Sequence, residues 1–321
     1  MEHFREFHQQ EENVDGGGQE STNLFSLAQK MNEFRAVKQE LGNLREADLK
    51  KIVNDDAGPR LKRQAAAYEL KLRQDKNARL TRLEQICIQE KLAGRVDLKG
   101  LDPEIAQQLI DPVREAKKDF PKLELPYIGT ISGQLMALHT YLEHIYITSL
   151  KKEYGAQFSE AELEQVAEMY ADNYMEQYGL EESNDICAWA VHPEGQEALM
   201  PFAGIAINSN WDKTFVMRLR QDVAVGFHPK DCDTIKAVID HEVAHMIDHT
   251  YGMENDKEIQ RLYREMCKVK NGEPVSEYAR ENVAEFIAEA YSEYQNSPQP
   301  GEYAVKVYQR MCELAEEGKA V

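Results

Sequence analysis

The run Thr234–His249, TIKAVIDHEVAHMIDH, constrains this chain more than any other stretch. Ile235, Val238, Ile239, Met246 and Ile247 recur at helical spacing, so the run reads as a core helix, with Asp231 and Asp233 available as N-caps just ahead of it. Inside it stands His241-Glu242-Val243-Ala244-His245. Residues four apart share a helix face, so the imidazoles of His241 and His245 can bind one metal ion, and Glu242 can reach a water on that metal. Two neutral nitrogen donors hold Zn2+, and a carboxylate takes the proton of the water as it attacks a carbonyl. The spacing therefore predicts a zinc peptidase, with one Zn2+ per chain and Glu242 as general base.

Further chemistry is bounded by what the chain lacks. No apolar run approaches the roughly 20 residues of a membrane span, and MEHFREFHQQEE has no apolar core of the secretory kind, so a cytoplasmic location is expected, or delivery without a signal peptide. Cys87, Cys187, Cys232, Cys267 and Cys312 are odd in number and form no CxxC pair, which argues for reduced thiols. The net charge of −19 divides into −5 over residues 1–20, +4 over 21–120 and −18 over the rest. Acid around the site repels nucleic acid phosphate and favours a basic or neutral peptide as substrate, and charge of this size also keeps a protein soluble.

Along the chain, 1–20 reads as a disordered acidic tail. Residues 21–120 read as a helical region, broken at Asp56-Ala57-Gly58-Pro59 and with Asp102-Pro103 and Asp111-Pro112 opening short helices; it packs on itself or serves a protein partner. Phe120-Pro121 to Pro126 reads as extended chain and marks the boundary to a domain over 121–321. Tyr127 to Tyr154 holds a strongly apolar helix with His139 and His144 as core or interface residues, and Ser159 to Gly179 a second helix opened by a capping box. Ile186–Val191 and Phe202–Asn208 are β-prone and flank His192-Pro193-Glu194-Gly195. A sheet edge beside the metal would let a substrate peptide lie as an added strand. His192 and His228 are read as ordinary loop histidines.

A catalytic zinc usually has three protein ligands. The HExxHxxGxxH alternative fails, since Asp248 and Tyr251 stand where its Gly and third His belong. Pro274 and Ser276 mark a further helix start, after which Glu281, Glu285 and Glu289 recur every four residues among Val283, Phe286 and Ile287, so at least one of these acids points inward.

At these residues the chain resembles the gluzincin metallopeptidases, most closely the anthrax lethal factor-type catalytic domain and related phage-encoded domains. Those carry an HExxHxxD helix followed by a Tyr and then Glu-Phe-Phe-Ala-Glu-Ala; here the order is His241 to Asp248, Tyr278, and Glu285-Phe286-Ile287-Ala288-Glu289-Ala290, with Ala244 for the usual Gly and Ile287 for a Phe. The resemblance implies that His241, His245 and Glu285 ligate zinc, that Glu242 is general base and Tyr278 stabilises the oxyanion, and that Asp248 and Glu289 orient the histidines. It implies a mostly helical α+β, zincin-like fold. The texture of Phe120-Pro121-Lys122 and of the GIAIN strand also resembles peptidase-like tails of phage head proteins, which suggests a virion context and one alternative function, a structural or interaction protein that keeps the fold. A di-iron bundle would need a second ExxH, which the chain does not have.

Overall fold

The protein is described from a computed structural model, over residues 32–42, 44–55, 57–183, 186–191, 202–211, 213–269 and 274–319. The expected disordered tail and His192 lie outside these residues. Elements follow in the order α1 (Glu46–Val53), α2 (Arg60–Gln89), β1 (Arg95–Asp97), α3 (Pro103–Asp119), β2 (Tyr127–Thr130), α4 (Ile131–Tyr154), α5 (Glu160–Gln177), β3 (Ala188–Val191), β4 (Gly204–Ile207), α6 (Lys213–Ala224), α7 (Ile235–Tyr251), α8 (Lys257–Met266), α9 (Val283–Asn296) and α10 (Glu302–Lys319). Residues 32–41 are helical as well. The architecture is mostly helical α+β, and no helix among the described residues is long and apolar enough to cross a membrane.

Two compact units divide after Asp75. In the first, Leu41, Leu49, Ala65 and Ala66 form a small core, and the Arg73 guanidinium donates to the carbonyls of Leu44 (2.8 Å) and Gly42 (2.7 Å). The second unit, Lys76–Val321, takes in residues assigned by sequence to the N-terminal helical region. Leu109, Ile110, Val113 and Phe120 share one core with Ile239, Val243, Phe286 and Tyr291, so the division does not fall at the expected 120/121 boundary. Helical periodicity marks a buried face without saying what covers it.

The sheet of the second unit runs β1-β2-β4-β3, with β1 and β3 at its edges, β1 and β4 parallel to β2 and β3 antiparallel to β4. Period-two alternation splits its faces. Ile128, Ile205 and Ile207 join the main core beneath α3, α7 and α9, while Tyr127, Ala206 and Trp189 pack under the α4–α5 hairpin. Gly204 makes the β2–β4 approach possible: at φ +147, a Cβ there would stand 2.0 Å from the carbonyl oxygen of Tyr127.

Local capping follows the sequence in part. Asp102 caps α3 by accepting the Glu104 amide (2.9 Å), and Ser159 with Glu162 forms the capping box of α5. Three readings are corrected. Asp111-Pro112 opens no helix of its own: Pro112 lies inside α3, where Leu109, Ile110, Val113 and Ala116 keep one buried stripe running past it. Thr234, not Asp231 or Asp233, caps α7, accepting the Ala237 amide (3.1 Å), while Asp231 adopts a left-handed conformation (φ 67) and Asp233 pairs with Arg220. No α-helix starts at Pro274 or Ser276; a single 3-10 turn, Tyr278–Arg280, precedes α9, which Asn282 caps by accepting the Glu285 amide (2.9 Å).

Candidate metal centre

α7 and α9 lie antiparallel, and their contacts step down both helices together. Ser292 Oγ donates to the Ala237 carbonyl (2.8 Å), Glu289 meets His241, and Glu285 meets His245. At the outer end the buried Asp240 carboxylate accepts from Lys236 Nζ (2.6 Å) and Asn296 Nδ2 (2.8 Å). Register between the helices is thereby fixed at the point where the polar side chains converge.

Three atoms meet there. His241 Nε2 and His245 Nε2 stand 3.1 Å apart, and Glu285 Oε2 lies 3.2 Å from the first and 3.5 Å from the second. Glu285 Oε2 is buried without a hydrogen bond of acceptable geometry. Tetrahedral zinc with bonds near 2.0–2.2 Å sets its ligand atoms roughly 3.3–3.5 Å apart. The triangle fits that edge length, and two nitrogens with one carboxylate oxygen are a donor set suited to zinc. His241, His245 and Glu285 are the one group of three among the described residues whose ligand atoms converge in this way.

A second layer holds His241. Its Nδ1 lies 2.8 Å from Glu289 Oε1, and the same carboxylate meets His228 Nδ1 (3.1 Å) and accepts from Ser276 Oγ (2.7 Å). Burial acts to lower the His241 pKa, but the Glu285 and Glu289 carboxylates outweigh it and push the imidazole up to about 10 in the metal-free chain. Glu289, against its own burial, is held down at about 2 by His228 and His241. Asp248 is arranged differently. Its carboxylate accepts the Glu254 amide (2.7 Å), burial raises it to about 6, and His245 acts on it electrostatically.

Tyr278 is pinned by its neighbours. Its amide donates to the Phe227 carbonyl (3.0 Å) and the adjacent Glu277 amide to that of Gly226 (2.9 Å), which sets the phenol ring over His241 at 6.0 Å between centroids. Burial, and then the charges of Glu285, Glu242 and Glu289, push its hydroxyl up to about 12, so it is a proton donor throughout the neutral range. Beside it opens a cleft of about 410 Å³, lined by Ala188, Leu219, Phe227, His241, Glu242 and Tyr278 among others. His245 and Glu285 lie behind His241 and do not line it.

No protein-family model matches the chain, and neither the curated proteins nor the solved structures contain a significant match. The site therefore stands on its own geometry. His241, Glu242, His245, Tyr278, Glu285 and Glu289 are brought together, Asp248 sits one turn along α7 with its carboxylate on a loop amide, and Glu281 is exposed outside α9. The residue that sequence reasoning missed is His228. Read as an ordinary loop histidine, it is in fact 23% exposed, bonded to Glu289 and edge-on to Tyr278. Nothing in its spacing signals this, because its contacts are made across long sequence separations.

Proposed function

We propose that the chain is a zinc-dependent endopeptidase with a zincin-like catalytic unit. The observation that supports this best is the triangle of His241 Nε2, His245 Nε2 and Glu285 Oε2, with sides of 3.1, 3.2 and 3.5 Å, next to a cleft that Glu242 and Tyr278 both face.

A zinc ion bound there would supply Lewis-acid polarisation and bring the pKa of a water to about 7. The chain's own residues do the rest. Glu242 accepts the proton of the attacking water at its carboxylate and hands it to the departing amine. Tyr278, protonated at working pH, donates its hydroxyl hydrogen to the oxygen that gains charge. Glu289 fixes the His241 ring through Nδ1.

β3 supplies a rail for the substrate. Because the Asn208 amide donates to the Cys187 carbonyl (2.9 Å), the hydrogen-bonded pairs of β3 and β4 fall at Cys187, Trp189 and Val191. The amides and carbonyls of Ala188 and Ala190 then face away from β4, on the side where no other described strand pairs, and an extended peptide can add there as a strand. Ala188 is itself a wall of the cleft.

The test compares zinc-loaded wild type with Glu242→Gln on a library of unstructured peptides. Wild type is expected to cleave, and the variant to retain zinc while losing about 10²–10⁴ in rate. Equal cleavage by the two, or no cleavage by zinc-loaded wild type, would remove this reading.

A further inference from the structure

Two long helices of the chain are opposite in charge, and each has an exposed face. α2 carries eight Lys and Arg against three acids over Arg60–Gln89. α5 carries six acids, Glu160, Glu162, Glu164, Glu168, Asp172 and Glu176, and no Lys or Arg over Glu160–Gln177. Surface helices usually mix signs along their length, which makes such segregation a selective feature of association.

Each helix also presents apolar side chains to solvent. On α2, Tyr68, Leu72 and Ile88 are 41%, 38% and 47% exposed; on α5, Met169 and Tyr170 are 49% and 44% exposed. Arg79, Arg82 and Ile86 follow the helical spacing of a single stripe along the part of α2 that belongs to the second unit. Where that stripe passes the first turn of α3 it opens into a groove of about 480 Å³, lined by Arg79, Arg82, Leu83, Ile86, Pro103 and Glu104. An apolar floor of Leu83, Ile86 and Pro103, with two guanidinium groups against the single carboxylate of Glu104, suits one occupant, an acidic amphipathic helix. On α5, Met169 is flanked by Glu168 and, two turns along the same face, Glu176, all three exposed.

We propose that α5 of one copy docks on the α2–α3 groove of a second copy, Met169 entering between Leu83, Ile86 and Pro103 while Glu168 and Glu176 meet Arg79, Arg82 and their basic neighbours. Arg79 and Arg82 at the groove and Glu168, Met169 and Glu176 on α5 are exposed, and the complementary partner for each set is encoded in the same sequence. Because the two surfaces differ, each copy offers both a groove and a helix, so that the contact closes as a reciprocal pair or a ring, or continues from copy to copy. The metal centre takes no part in it.

Sedimentation velocity of the full-length chain tests this, from about 1 to about 100 µM at about 50 and about 500 mM salt. Wild type is expected to exceed the single-chain mass at low salt and high concentration, and to return to one chain at high salt. Arg79→Glu/Arg82→Glu and Glu168→Lys/Glu176→Lys should each remain single chains on their own, with wild-type circular dichroism and melting to show that these exposed changes leave the fold intact. An equimolar mixture of the two doubles should associate again, since the acidic groove of one now faces the basic helix of the other. A wild type that stays a single chain throughout, association that ignores the substitutions, or a mixture that fails to reassociate would each overturn the proposal. Nucleic acid bound by a groove on a single chain would count against it equally.

Discussion

Glu289 Oε1 stands 2.8 Å from Nδ1 of His241, on the opposite side of the ring from the nitrogen that faces His245 and Glu285. In the neutral imidazole that a metal requires, the carboxylate therefore selects the tautomer, holding the hydrogen on Nδ1 and leaving Nε2 with its lone pair directed at the converging atoms. Since Glu289 is 2% exposed and also engages His228 and Ser276, it cannot swing away from this position without losing three partners.

Replacing Glu289 by Gln keeps the size and removes the charge. Zinc affinity is expected to fall about ten- to a hundredfold, as carboxylate partners of metal-bound histidines typically contribute that much. Competition with a chromophoric chelator measures it; unchanged affinity would show that the contact is incidental.

Zinc binding should release a proton. His241 in the metal-free chain holds its proton up to about 10, whereas a ligand must be the neutral imidazole. Between roughly pH 7 and 9, calorimetry in buffers of different ionisation heat should report about one proton displaced per zinc, and affinity should weaken about tenfold for each unit of pH lowered. The same shift sets the sign for the metal-free fold: the raised pKa contributes stability that is complete below pH 6.5, the ordinary value, and is lost as pH rises through about 10. A metal-free chain whose stability is flat from pH 7 to pH 10 would contradict this.

Tyr278→Phe removes the hydroxyl and leaves the ring over His241. Zinc content and KM should be close to wild type, while kcat falls by about 10²–10³, the usual effect of deleting one donor to a developing oxyanion. A variant that loses zinc instead would assign Tyr278 to holding the site together.

The parts legible in the sequence are those whose signal is local. α7 was readable from its periodicity, and the expectation that at least one acid of α9 turns inward, as Glu289 does, from Val283, Phe286 and Ile287 around them. Tyr278 is different: its place two turns before Glu285 assigns it no role, and only the resemblance to a known motif order put it beside the histidines. β1 and β2 escaped because RVD and YIGT are too short to alternate, and β2 is buried on both faces and runs straight into α4. The place of residues 76–120 in the main core was hidden for a related reason, since an amphipathic helix shows that it has a buried side and not which element lies against it. His228 depends on a contact 61 positions away and had no local signal at all.

Elemental analysis of purified protein addresses the central claim most directly. Wild type and Glu285→Ala are saturated with zinc, freed of unbound metal and measured per chain. One zinc per chain in wild type and a clear loss in the variant are the expected results, because Glu285 Oε2 closes the triangle with His241 and His245. A wild type that retains no zinc, or a Glu285→Ala variant that retains it as tightly, would contradict the account.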